Sequence, residues 1–193
     1  MGFQNLHQIA CIHGRFQPFH LGHVDYLQVC LQQWQQVLVG VAEITPVRLS
    51  FPGVEHRNRP SANPLTYLER TIIIRECCRN LGISDSRIEF IPFPIDEPST
   101  LPNIFPRHVA CVTTRLYDWN DEKIRRLKNE GYSVHVLEQC QKVPFDGSKI
   151  RALIRSGDDS WRAMVNPAVA HLLDCWELRP RLERLAADEK RDA

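Results

Sequence analysis

Two histidines three residues apart, His20 and His23, are the residues whose type and spacing best suit chemistry on a phosphate. They lie in the run Gly14-Arg-Phe-Gln-Pro-Phe-His-Leu-Gly-His23, which follows an apolar stretch of strand length and leads into a helical period. Free N–H groups and the positive helix terminus at such a turn favour an anion. Imidazole N–H groups there can stabilise the α-phosphoryl oxygens of a bound triphosphate. The run predicts a transfer site with His20 and His23 as catalytic residues.

The rest of this run predicts a cradle for the triphosphate. The residues expected to bind the nucleotide are Gly14, Arg15, Phe16, Gln17 and Gly22. Transfer of this kind depends on positioning and electrostatic stabilisation, so it requires no protein nucleophile. Alternatively, the two histidines are metal ligands or ordinary surface residues. The strand–loop–helix context of the whole run favours the functional interpretation, and we name no protein metal ligand.

A second group of residues suits the departing pyrophosphate. Ser148, as the N-cap of a short helix, and Arg151, one turn later, can present a hydroxyl, backbone amides and a guanidinium to the β- and γ-phosphates. We expect Ser148 and Lys149 to bind the nucleotide and Arg151 to be the third catalytic residue. An ordinary capped surface helix is the alternative. Asp146 brings negative charge close by, and Arg70 is expected to be a solvated helix residue.

The bulk properties limit the classes of function. The chain has 193 residues, a formal net charge of +1 and 43% hydrophobic residues, which suits one globular domain (1–193, with its core at about 8–173). That charge balance disfavours nucleic-acid and membrane-surface binding. Seven scattered cysteines without a Cys-x-x-Cys pair predict small buried hydrophobes. Without a signal-peptide pattern or a long apolar segment, we expect a cytoplasmic protein.

Strand-length apolar runs alternate with helical periods, which predicts an α/β fold with a parallel sheet and helices on both faces. Predicted strands cover 9–13, 36–42, 87–91, 108–112 and 133–137, and predicted helices cover 21–34, 66–81, 121–129, 148–155 and 167–185. Beyond residue 185 we expect a frayed, charged tail. The loops 43–64, 92–107 and 113–120 follow strands, where an open α/β sheet binds its ligands.

The run from Gly14 to His23 resembles the signature of the HxGH nucleotidylyltransferase superfamily, and it is most similar to that of the archaeal-type nicotinamide mononucleotide adenylyltransferases. The segments Asn63-Pro-Leu-Thr-Tyr-Leu-Glu-Arg70 and Gly147-Ser-Lys-Ile-Arg151 also resemble motifs of that family. The resemblance implies a Rossmann-like fold of the HUP type, Mg²⁺ alongside ATP, and in-line attack by the acceptor phosphate. It also implies AMP transfer to nicotinamide mononucleotide in NAD biosynthesis, and a homo-oligomer.

The acceptor side departs from this family. A tryptophan of the family's proline-rich segment has no counterpart near Asn103, so we expect Asn103, Phe105, Trp119 and Arg57 to bind the acceptor, with Phe105 or Trp119 stacking on it. Arg57 belongs to a long loop whose basic residues could close over phosphates or could simply be solvated. These departures leave the transfer chemistry intact and leave the acceptor open.

Other functions compete with this prediction. The chain could be a cytidylyltransferase, or an adenylyltransferase for another phosphate or phosphonate acceptor in a specialised pathway. It could instead be a nucleotide-sensing module that binds without turnover, although intact His20, His23 and Arg151 argue against that. A class I aminoacyl-tRNA synthetase fragment is disfavoured, because it would need a tRNA-binding domain and a basic face. A fused kinase would need a Gly-x4-Gly-Lys-Ser/Thr loop, and the sequence has none.

Overall fold

The computed structural model describes residues 8–42, 59–115, 119–138 and 143–191. Five strands lie within these ranges: β1 (Ile9–Gly14), β2 (Gln36–Val41), β3 (Ile88–Pro92), β4 (Ala110–Thr114) and β5 (Val134–Leu137). The α-helices are α1 (Leu21–Gln33), α2 (Tyr67–Asn80), α3 (Trp119–Asn129), α4 (Gly147–Ser156), α5 (Pro167–Cys175) and α6 (Leu178–Arg191).

The chain divides into two compact units. The first comprises Met1–Arg15, Gly22–Ile44 and Ile83–Val143, and the second comprises Phe16–Leu21, Thr45–Gly82 and Pro144–Ala193. The first unit therefore contains the strands with α3 and nearly all of α1, and the second contains α2, α4, α5 and α6. The expectation of a single domain stays a prediction.

The first unit is built on a parallel five-stranded sheet in the order β3-β2-β1-β4-β5. β1 and β2 are almost continuously apolar and buried, as strands covered on both faces must be. A core cluster surrounds the sheet around Cys11, Phe93 and Phe105. The predicted α/β fold with a Rossmann-like parallel sheet is confirmed.

The strand order reverses at β1. The chain proceeds outward from β1 to β2 and β3 and then returns to place β4 on the other side of β1. In open parallel sheets the crevice at such a switch point, beyond the carboxyl ends of the two central strands, is where ligands bind. The residues that end β1 and β4 therefore occupy the position in which a binding site is expected.

The second unit is a group of helices held by caps and polar contacts. A capping box of Thr66 and Glu69 begins α2, as the sequence predicted. The same Glu69 carboxylate accepts a hydrogen bond from Nη1 of Arg181 in α6 over 2.7 Å. Glu189, near the end of α6, accepts hydrogen bonds from the backbone N–H and the hydroxyl of Ser61. These contacts attach α6 to the segment that leads into α2.

The C-terminal helix differs from its prediction. The single helix predicted over 167–185 is two helices, because Glu177 has a positive φ of 50° and separates α5 from α6. Pro180 explains the break, since a proline is tolerated in the first turn of a helix but removes a hydrogen bond from an interior. The tail expected to fray beyond residue 185 is helical as far as Arg191.

The cysteines follow their prediction in most cases. Five of the six in the described ranges are buried free thiols, whereas Cys175 is exposed; Cys140 lies outside those ranges. The proline-rich loop after β3 contains a 3-10 helix, Pro98–Asn103. Within the described residues, every helix is too short or too polar to cross a bilayer.

Candidate active site

The loop between β1 and α1 carries the motif residues and is fixed by buried aromatic rings. Phe16 has a positive φ of 53°, a conformation that costs energy in a bulky residue and must be imposed by its surroundings. Its ring is buried and packs edge-on against Phe19, with centroids 5.5 Å apart. The side chain of Phe16 therefore belongs to the hydrophobic core. Only its backbone is left for the predicted contact with a nucleotide.

Gln17 ties this loop to the segment before α2. Its side-chain Nε2 donates to the carbonyl of Leu65 over 2.8 Å, and its Oε1 accepts from the N–H of Leu65 over 3.0 Å. Gln17 is 3% exposed, so the amide is committed to this pairing. We expected the residue to bind the nucleotide, and the structure instead gives its side chain a positioning role in the loop.

Helix α4 brings the second motif against the first. Nη1 of Arg151 donates to the backbone carbonyl of Gln17 over 2.5 Å, and Nη2 donates to the hydroxyl of Ser148 over 3.3 Å. A Cβ atom on Gly147 would lie only 2.6 Å from the same carbonyl of Gln17. The start of α4 therefore approaches the loop as closely as a residue without a side chain permits.

The cap of α4 corrects one prediction. Asp146, rather than Ser148, is the N-cap, because its carboxylate accepts from the N–H of Lys149 over 3.0 Å. The acidic residue thereby satisfies the helix terminus. Ser148 and Lys149 are both exposed, and Nζ of Lys149 contacts the carbonyl of Pro144 over 3.5 Å. Their binding of a nucleotide stays a prediction.

His20 is buried in the second unit. It is 8% exposed, and its ring meets that of Phe145 edge-to-face with centroids 5.7 Å apart. Burial lowers the pKa of His20 to about 4, and the Asp146 carboxylate opposes that shift only in part. The imidazole is therefore neutral near pH 7 and can donate one N–H to a phosphoryl oxygen.

His23 and Gly22 lie in the first turn of α1, in the first unit, and both are partly buried. Gly14 ends β1, and Arg15 follows it as a partly buried residue. These positions agree with the predicted strand–loop–helix context. Their contacts with a nucleotide remain predictions.

The residues predicted to bind the acceptor lie in different environments. Phe105 is 3% exposed and belongs to the core, where its ring lies against those of Phe93 and Tyr132 at centroid distances of 6.0 and 4.7 Å. Because both neighbours are core rings, the structure does not support stacking of Phe105 on an acceptor. Asn103 is exposed at the end of the 3-10 helix. Arg57 and the side chain of Trp119 lie outside the described residues.

Several buried polar residues were missed by the sequence analysis. Arg70 is 1% exposed rather than solvated, and its Nε donates to the carbonyl of Thr66 over 3.2 Å. In the first unit, His13, Asn120 and Lys123 are also buried. A sequence signal existed for two of them, because Asn120 and Lys123 share helical spacing with the buried Leu127 and so lie on the inward face of α3.

Comparison with known proteins identifies the family. The model of the cytidylyltransferase-like family matches residues 11–153, a span that includes both phosphate motifs. The chain belongs to the cytidylyltransferase-like family. It is an enzyme of the nucleotidylyltransferase type, as the sequence predicted.

Two relatives illustrate the range of this family. The chain is 30% identical over 174 residues to the phosphonoformate cytidylyltransferase of Streptomyces viridochromogenes, covering 90% of this chain and 94% of the relative. It is 28% identical over 165 residues to the nicotinamide-nucleotide adenylyltransferase of Saccharolobus solfataricus, covering 83% and 87%.

The fold is also found in a solved structure. A bifunctional NMN adenylyltransferase/ADP ribose pyrophosphatase from Francisella tularensis superposes with a TM-score of 0.68 at 17% identity. The match covers 95% of this chain and 53% of that protein, so the chain spans about half of its length. The same bifunctional protein has been solved as a complex with AMP and a manganese ion. At this identity the likeness shows the fold alone.

Proposed function

We propose that this chain transfers CMP from CTP to a small phosphonate or phosphate acceptor and releases pyrophosphate. The observation that carries the transfer chemistry is the hydrogen bond from Arg151 to the carbonyl of Gln17, which joins the two phosphate motifs in one arrangement. Cytidylyl transfer is supported by similarity to the phosphonoformate cytidylyltransferase over 90% of the chain.

In this mechanism an oxygen of the acceptor phosphonate attacks the α-phosphorus of the triphosphate in line. The new P–O bond forms as the bond from the α-phosphorus to the oxygen bridging it to the β-phosphorus breaks, and pyrophosphate leaves with that electron pair. His20 and His23 donate hydrogen bonds to the α-phosphoryl oxygens, where negative charge shifts during the transfer. A neutral His20 suits this role, because its N–H group can donate a hydrogen bond while the imidazole keeps its proton.

Arg151 has two roles in the proposal. Its bonds to Gln17 and Ser148 hold the loop and the start of α4 together, and its guanidinium brings positive charge to the departing pyrophosphate. Mg²⁺ enters as part of the substrate, bound to the triphosphate, and neutralises phosphate charge. Its ligands would be phosphate oxygens and water, because Mg²⁺ prefers octahedral coordination by hard oxygen ligands.

The surroundings of the residues that we expected to bind the acceptor favour a small acceptor molecule. The ring of Phe105, one of the two rings that we expected to stack on the acceptor, belongs to the core instead. Buried polar side chains, those of His13 and Thr113, lie near the carboxyl ends of β1 and β4. Such an environment suits a small charged molecule better than an aromatic ring.

A second candidate function is AMP transfer from ATP to nicotinamide mononucleotide. It is favoured by the pairing of Gln17 with Leu65, because both residues belong to segments that resemble the archaeal-type adenylyltransferases. The relative from Saccharolobus solfataricus supports the same candidate. Assembly as a homo-oligomer, implied by the resemblance, stays a prediction that sedimentation would test.

A screen of pyrophosphate release would test the proposal. ATP and CTP are each combined with Mg²⁺ and either nicotinamide mononucleotide, phosphonoformate or methylphosphonate, and products are identified by mass spectrometry. The His23→Ala variant, purified in parallel, controls for contaminating transferases.

The expected result is a CMP adduct of a phosphonate, formed with CTP in preference to ATP. Formation of NAD from ATP and the mononucleotide, without a CMP adduct, would replace the proposal with the second candidate. Calorimetric binding of CTP or ATP without pyrophosphate release from any acceptor would contradict both and indicate a nucleotide-sensing module.

A further inference from the structure

The first unit contains a group of buried polar side chains at the switch point of the sheet. His13 lies near the end of β1, Thr113 near the end of β4, and Asn120 and Lys123 in the first two turns of α3. All four are at least nine-tenths buried. Burial of polar side chains costs free energy, so a cluster of four of them requires an explanation.

His13 is the member whose state is most informative. Its ring stacks on that of Phe93, with centroids 4.3 Å apart and planes 5° from parallel. Phe93 is itself held closely, because a Cβ atom on Gly40 would lie 2.6 Å from its ring. Neither ring nitrogen of His13 has a hydrogen-bond partner within the described part of the chain. The stack fixes the ring plane, and the hydrogen-bonding capacity of both buried nitrogens is unmet within the described residues.

Lys123 brings positive charge to the same place. Burial, followed by the charge of Lys123, lowers the pKa of His13 well below its usual value, so the imidazole is neutral and the ammonium lies within electrostatic range. A neutral imidazole still donates one N–H. A donor and a cation that are buried together form an environment suited to an oxyanion.

Asn120 fixes the helix that carries this charge. Its Nδ2 donates to the carbonyl of Thr114, which ties the first turn of α3 to the end of β4. Lys123 is one turn further along the same helix. The backbone that carries the buried Lys123 is therefore anchored close to the end of β4.

We propose that His13 and Lys123 form a subsite for a non-reacting oxyanion of the acceptor, a carboxylate next to the phosphonate that attacks the nucleotide. The proposal rests on the proposed function for the identity of the reaction. It adds the chemical class of the acceptor, a small molecule with two anionic groups. His13 donates a hydrogen bond to the carboxylate, and Lys123 supplies the compensating charge.

The test compares two acceptors and two variants. Phosphonoformate carries a carboxylate and a phosphonate, whereas methylphosphonate carries the phosphonate alone. Lys123→Met removes the charge while keeping a long side chain, and His13→Phe removes the ring nitrogens while keeping an aromatic ring to stack on Phe93. Lys128→Met, an exposed position on α3, is the matched control. Thermal unfolding verifies that each variant folds.

We expect Lys123→Met and His13→Phe to reduce kcat/KM for phosphonoformate by roughly 10- to 100-fold, as the loss of a hydrogen bond to a charged group does. The value for methylphosphonate should change less than threefold, and Lys128→Met should leave both acceptors unaffected. Equal losses with the two acceptors, or no loss with either, would overturn the subsite.

Calorimetry with phosphonoformate alone separates this inference from the proposed function. If the wild type binds phosphonoformate, binding that weakens in Lys123→Met supports the subsite even when no CMP adduct forms, a result that contradicts only the proposed function. Adduct formation with unchanged phosphonoformate binding in the variant contradicts only the subsite. A wild type that neither binds nor converts phosphonoformate contradicts both.

Discussion

Arg151 and Gln17 are 134 positions apart in the sequence, and a hydrogen bond of 2.5 Å joins the guanidinium of the first to the backbone carbonyl of the second. Gln17 in turn uses its side chain to hold the backbone of Leu65. Three segments that resemble motifs of one family are therefore linked in a single chain of contacts. Arg151 therefore has a structural role at the centre of these contacts, in addition to the electrostatic role that we propose for it.

Replacement of Arg151 should affect both the stability of the loop and the reaction. Arg151→Ala removes the donors to Gln17 and Ser148 and leaves the buried carbonyl of Gln17 without its partner, at a cost of about 1–3 kcal/mol. We expect a lower thermal midpoint, weaker nucleotide binding and at least a tenfold loss of turnover. Arg155→Ala, at an exposed position one turn later, is the control. Unchanged binding and rate in Arg151→Ala would leave the residue with a structural role alone.

The two motif histidines should contribute to rate more than to binding. His20→Ala and His23→Ala are each expected to lower turnover by roughly 10²–10³-fold with only a modest loss of nucleotide affinity, because the hydrogen bonds strengthen in the transition state. Steady-state kinetics and calorimetry measure the two effects separately. His171→Ala, an exposed histidine in α5, is the control. Near-wild-type rates in both motif variants would refute the assigned transition-state contacts.

The buried state of His20 predicts a dependence of stability on pH. Its pKa is about 4 in the folded protein, below the ordinary value of 6.5, so the unfolded chain binds a proton that the folded chain does not. This contribution to stability is complete above pH 6.5 and is lost as the pH falls toward 4, with a total on the order of 3 kcal/mol. His13 acts in the same direction.

We therefore expect His20→Gln to lose less stability than the wild type between pH 6.5 and 4. Urea unfolding at several pH values measures the free energy of unfolding for both proteins. His171→Gln, in which an exposed histidine is removed, should retain the slope of the wild type. A His20→Gln slope equal to that of the wild type would show that this histidine is not buried in the neutral form.

The sequence predicted the fold well because its signals are local. Apolar runs and helical periods located all five strands and the helices to within a few residues. Two exceptions also have local causes. Pro180 divides the predicted C-terminal helix, and Asp146 takes the cap position that we had assigned to Ser148.

The roles of side chains in the site were harder to predict, because they depend on contacts distant in sequence. The commitment of Gln17 to Leu65 and the placement of Phe105 in the core are set by residues far along the chain. Arg70 followed a capping-box glutamate and so resembled a solvated residue, yet it is buried. Lys123 could have been found, since its spacing places it on the apolar face of α3.

Gly147 allows a direct test of how closely α4 must approach the motif loop. A Cβ atom at this position would lie 2.6 Å from the carbonyl oxygen of Gln17 and 3.1 Å from Nη1 of Arg151. Gly147→Ala must therefore push the helix and the loop apart, which we expect to cost about 1–3 kcal/mol of stability. The displacement would also lengthen the bond between Arg151 and Gln17, so turnover should fall more than tenfold. Thermal unfolding and pyrophosphate release report the two effects, with Ser156→Ala, at the far end of α4, as the control. Full activity in a stable Gly147→Ala protein would mean that the close approach of the two motifs is not required for transfer.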